Sequence, residues 1–146
     1  RFLCATFADR APTDLMPLQP LAAAKCDIIC RLHDIYLAPI QGCLYKQPLP
    51  VGPHPFGKFP ARAAAIDEFE RQLRVLEGYA HADGPYLTGA RPSAADCAIF
   101  PTAVFWNHML PKFGRDAGAS MGPRLRRWWA HMREADEVGQ RGYGEM

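Results

Sequence analysis

Cys26, Cys30 and His33 stand at positions i, i+4 and i+7, so on a helix all three share one face. Two thiols and an imidazole are donors that zinc accepts, but a tetrahedral site needs a fourth ligand. None stands at a usable spacing, and the three sit among apolar residues. Free cysteine usually behaves as a small hydrophobe, so core packing is the favoured reading and no metal ligand is assigned. Cys97 falls near the start of another predicted helix, where the dipole would lower a thiol pKa and burial would raise it. Burial is favoured, and with it an inert thiol. His33 and Asp34 are adjacent, yet no serine or cysteine is spaced to complete a triad. No catalytic residue is assigned.

A second group is aromatic and amide. Tyr36, Gln41 and Tyr45 share one predicted helix, and Trp106 and His108 lie on or just past another. An apolar wall with few polar groups is what a ligand pocket uses, although aromatics at helical spacing also serve a core. Tyr36, Gln41, Tyr45 and Trp106 are the candidate pocket residues. Arg124, Arg127 and His131 form a basic stripe on the last strong helix, read as a solvated face and not a phosphate track.

These residues must be positioned by helices. The clearest start signal is Ser93-Ala-Ala-Asp96 directly before an apolar run, the spacing of a capping box. The helix it opens carries Ile99, Phe100, Ala103, Val104, Trp106 and Leu110 and leaves little polar surface, so it belongs at the centre. Pro101 inside it calls for a bend or a ring turned toward a neighbouring helix.

Elsewhere, Leu21 to Lys46 reads as one long helix, with Ile28, Leu32, Ile35, Tyr36, Cys43 and Leu44 at helical spacing. Pro20 suits its first turn, and Pro39 should kink it near Leu37–Ala38. Gln47 to Pro60 is a proline-rich loop in which Pro50 to Pro53 formally matches a PxxP ligand. Ala61 to Ala80 is a helix with the seam Ile66, Phe69, Leu73, Leu76 and Ala80, and Asp67–Arg71 and Glu70–Arg74 read as i,i+4 ion pairs on its solvent side. Lys112 to Gly122 reads as a loop. Pro123 to Arg133 reads as a helix with Leu125, Trp128, Trp129 and Met132 inward, and the tail from Gly139 should fray.

Composition bounds the function. With 49% hydrophobic residues, 146 residues suffice for one real core. A net charge of +2 argues against nucleic acid or a membrane surface as the main partner. No apolar stretch is long enough to cross a bilayer. Five scattered cysteines with no CxxC pair fit reduced thiols, hence a cytoplasmic or organellar matrix or stromal location. No signal peptide is visible, although a chain beginning at Arg1 leaves room for a removed targeting segment.

Tyr86-Leu87, Gly89, Ser93 and Asp96 together resemble the "YL.G...S/T-x-x-D" pattern of the C-terminal helical domain of the glutathione transferase superfamily. Pro123, Leu125 and Trp128 are similar to the family's "P-x-L-x-x-W" helix start. Pro92 and Cys97, the pair in the staple position, are smaller than the family's usual partners. The resemblance implies an all-α fold, a glutathione transferase C-terminal-like helical bundle over residues 21–146. Residues 1–20 resemble the end of the last thioredoxin-like helix plus the linker that follows it.

In that family the glutathione-activating groups belong to the thioredoxin-like half. The resemblance therefore implies that this chain is non-catalytic by itself, with no resident cofactor and glutathione only as co-substrate of the parent family. Two functions follow. One is a protein–protein assembly or scaffold subunit, with protein partners or a homodimer, as the helical half serves in translation elongation complexes and aminoacyl-tRNA synthetases. The other is the C-terminal part of an active glutathione transferase acting on an electrophilic substrate.

Overall fold

The computed structural model describes residues 2–7, 9–10, 14–45 and 61–144. Within them the fold is all-α, and no strand forms among the described residues beyond an isolated Tyr86–Gly89 bridge. Eight α-helices follow in order: α1 (Phe2–Thr6), α2 (Pro20–Leu32), α3 (Ala38–Gln41), α4 (Arg62–Tyr79), α5 (Ala94–Met109), α6 (Ala117–Ser120), α7 (Pro123–Glu134) and α8 (Glu137–Gly144). The proline-rich stretch 47–60, with its Pro50–Pro53 motif, lies outside the described residues, as does Lys46.

The helix expected from Leu21 onward is interrupted before Pro39. Pro20 occupies its first turn, capped by Gln19, whose side chain accepts from the Ala22 amide at 2.7 Å. The chain then widens into a π-helical turn at His33–Leu37, continues as α3, and tightens into a 3₁₀ turn at Gly42–Leu44. Pro39 has no amide, and in an α-helix its ring would press on the carbonyl four residues back. The wider turn moves the ladder, and the Ala38 amide bonds instead to the His33 carbonyl. The irregularity therefore runs upstream of the proline and ends at Leu37–Ala38, where the sequence places the break.

Across α2, the π turn and α3 the inward side chains are few. Cys26, Ile29, Leu32, Leu37 and Ile40 are buried, whereas Ile28, Ile35 and Tyr36, which share the predicted helical spacing with Leu32, Cys43 and Leu44, are exposed. On α4 the predicted seam is buried throughout, from Ile66 to Ala80. The expected Asp67–Arg71 and Glu70–Arg74 pairs do not form. Asp67 and Glu70 both receive Arg115, at 2.5 and 3.2 Å, and Arg71 turns to Glu68.

Helix α5 packs on α2, α3 and α6 and is the centre of the bundle. Ile99, Ala103 and Trp106 are fully buried along it, and Leu110 follows in a 3₁₀ turn. Pro101 lies inside the helix but is exposed, so its ring does not seat against a neighbour.

The stretch after α5 is more helical than its glycines suggest, with a 3₁₀ turn at Leu110–Phe113 and then α6, capped by Asp116. Helix α7 buries Leu125, Trp128, Trp129 and Met132. The tail from Gly139 does not fray but forms α8, which packs on α7. Gly139 is buried against the Met132 carbonyl, and Tyr143 meets Trp129 edge-on at 5.8 Å.

Candidate functional site

The Asp96 carboxylate is the hub of the turn that opens α5. Ser93 closes a capping box with it, its amide donating to Oδ2 at 2.8 Å and its hydroxyl at 2.7 Å. Oδ1 accepts from the Leu87 amide at 2.8 Å and from the Trp128 indole at 2.9 Å. Burial pushes the carboxyl above its ordinary value, while the hydrogen bonds pull the other way. One buried side chain thus ties the 86–89 turn, α5 and α7 together.

The four candidate pocket residues do not converge. Trp106 is fully buried and meets Phe69 edge-on at 6.0 Å, so it belongs to the core and not to a pocket wall. Tyr45 is exposed and packs edge-on against Phe105 at 5.5 Å. Gln41 accepts from the Thr102 hydroxyl at 3.4 Å and lines a cavity of about 600 Å³ with Val104, Phe105, Asn107 and His108. Tyr36 faces elsewhere, into a groove between α2 and α4.

That groove holds about 550 Å³ and is mainly apolar. Ile28, Ile35 and Tyr36 come from the α2 side, Val75 and Tyr79 from α4, and all five are exposed. Asp27 and Arg31 stand along the α2 side of the same groove. Five large exposed hydrophobics thus stand together between the two helices.

Cys26 and Cys30 share one face of α2, as their spacing requires, but His33 turns away. Its Nε2 lies 2.9 Å from Thr102 Oγ1 and its Nδ1 3.0 Å from Asp34 Oδ1. The two thiols hydrogen-bond to each other. This contact pulls Cys26 down to about 6, aided by the Ala95 amide and Ser93, and pushes Cys30 up. Cys97 is exposed rather than buried, yet crowding around its sulfur and then the Asp96 charge raise its pKa.

The family model "Glutathione S-transferase, C-terminal domain" matches residues 59–134, more than half of the chain. The chain belongs to that family. The match begins just before α4 and ends with α7, so it takes in the Asp96 hub and all its partners. No curated protein matches the chain. None of the helices described is long and apolar enough to cross a membrane.

Three features of this glutathione transferase C-terminal domain escape sequence reading. The groove is one, because Val75 and Tyr79 fall on the polar side of the α4 seam. The basic stripe is another. Arg124 and Arg127 are not idle in solvent but donate to the carbonyls of Ala80, His81 and Ala82, where α4 ends. The third is Glu77, whose two carboxylate oxygens accept from the Arg124 and Leu125 amides at 2.9 Å each. Pro123 at the first position of α7, with no capping side chain before it, is the signal that those amides are satisfied from elsewhere.

Proposed function

We propose that this glutathione transferase C-terminal domain is an assembly module without chemistry of its own, and that it docks through the α2–α4 groove. The observation that carries the reading is the exposed set Ile28, Ile35, Tyr36, Val75 and Tyr79, with Ile35 at 56% exposure. Desolvating such side chains is worth about 1.5–3 kcal/mol each when burial is complete. The first occupant is a second copy of the chain. Asp27 and Arg31, one turn apart on the same side of the groove, give it a self-complementary charge pattern. A two-fold contact would set each residue against the other's counterpart. A larger host complex uses the same face. A reducing compartment, the cytoplasm or an organellar matrix, suits a chain with free thiols.

A second reading is favoured by the Gln41–His108 cavity. There the domain is the C-terminal part of an active glutathione transferase and supplies one wall for an electrophilic substrate, with glutathione as co-substrate held elsewhere. Calorimetric titration of glutathione, with light scattering on the same sample, separates the two. Self-association without glutathione binding supports the assembly module. Micromolar glutathione binding by a monomer puts the transferase reading first.

A further inference from the structure

Cys26 and Cys30 both line a second cavity of about 600 Å³, together with Met16, Asp27, Arg31, Asp34 and Ala94. Three sulfur-bearing residues therefore line one space, Cys26 as its fully buried member. Met16 is held there by the linker before α2. Its amide donates to Asp14 Oδ1 at 2.9 Å, and the neighbouring Leu15 carbonyl accepts from the Ala94 amide at 2.8 Å, at the start of α5.

Helix geometry limits what the two thiols can do. Residues four apart on a helix keep their Cβ atoms about 5–6 Å apart, whereas a disulfide needs roughly 3.5–4.5 Å. Direct oxidation to a disulfide would require α2 to unwind. A single bridging atom fits that separation where a sulfur–sulfur bond does not.

We propose that Cys26 and Cys30, with the Met16 thioether, form a binding site for one soft monovalent ion of the copper(I) class. Thiolate and thioether donors select such an ion over harder divalent cations. The imidazole that would favour zinc, His33, is committed to Thr102 and Asp34. Binding leaves the metal's oxidation state unchanged: three sulfur–metal bonds form, one of them from the thioether lone pair, two S–H bonds break, and both protons pass to solvent. The bis-thiolate complex carries one net negative charge, and the same lining holds Arg31 beside the carboxylates of Asp27 and Asp34. The cavity shares Asp27 and Arg31 with the rim of the α2–α4 groove, but its sulfur donors are not among the groove's residues.

The test is an anaerobic titration of copper(I) into the reduced full chain against a chromophoric copper(I) chelator. It is followed by X-ray absorption to identify the ligand atoms. The expected result is one ion per chain in a sulfur-only shell. Binding should be lost in Cys26→Ser and Cys30→Ser, weakened in Met16→Leu, and retained in Cys97→Ser. Should Cys26→Ser fail to fold, Cys30→Ser, at a half-buried position, carries the test with the absorption spectrum. No competitive binding by the wild type, binding that survives both cysteine substitutions, or a shell of nitrogen and oxygen overturns the proposal.

Discussion

The Trp128 indole nitrogen donates to Asp96 Oδ1 at 2.9 Å across 32 residues of sequence, and both side chains are buried. The same oxygen accepts the Leu87 amide, and the other oxygen serves Ser93. Removing the carboxylate strands several buried donors at once, each costing about 1–3 kcal/mol. Asp96→Ala should therefore lower stability by roughly 3 kcal/mol or more. Asp96→Asn should cost less, because its remaining oxygen still serves Leu87 and Trp128. Urea unfolding followed by circular dichroism checks both, and an Asp96→Ala variant as stable as wild type would refute the hub.

Glu77 and Gly122 make a coupled cap for α7. A Cβ at position 122 would sit 2.3 Å from Glu77 Cδ, so Gly122→Ala must push the carboxylate off the Arg124 and Leu125 amides. Loss of such a cap costs about 1 kcal/mol. Glu77→Ala and Gly122→Ala should each show that cost, and the double variant should lose little more than either alone. Additive losses in a double-mutant cycle would mean that the two act independently.

The Tyr86 hydroxyl donates to Asp136 Oδ2 at 2.8 Å. Burial first, and then Asp136, push its pKa up from 10.0 to about 12. The native state thus holds its proton where the unfolded state has released it. The stabilising contribution is whole below pH 10 and is lost as the pH rises toward about 12. Wild type should lose stability relative to Tyr86→Phe across that window, as denaturant titrations at stepped pH would show. A constant difference would contradict the shift.

Gly139 brings the start of α8 against α7. A Cβ there would stand 2.1 Å from the Met132 carbonyl oxygen, a backbone atom that cannot swing aside. Gly139→Ala should release α8 and expose Trp129, which Tyr143 covers edge-on. A red-shifted tryptophan emission with most of the helix signal kept is the expected result. Unchanged emission would show that α8 tolerates the methyl.

Much of the fold was legible from local signals. The α4 seam, the Trp128–Trp129 face and the Ser93-to-Asp96 spacing each imply a helix that must bury one side, and all three lie where the sequence puts them. The partners of those elements were not legible, because they come from distant parts of the chain. Nothing near Asp67 indicates that Arg115 will take it from Arg71, and nothing near Arg127 indicates the end of α4. The site was the least readable part. Periodicity grouped Ile28, Ile35 and Tyr36 at helical spacing with Leu32, Cys43 and Leu44, but the first three are exposed, and the π turn at His33–Leu37 shifts the register of Ile35 and Tyr36.

The central claim is that this groove makes the chain assemble, and sedimentation velocity over a concentration series tests it most directly. Wild type should sediment as a reversible dimer, while Ile35→Glu and Val75→Glu, both at exposed positions, should be monomers with unchanged circular dichroism. A wild type that stays monomeric at every concentration, or a dimer indifferent to both substitutions, would contradict it.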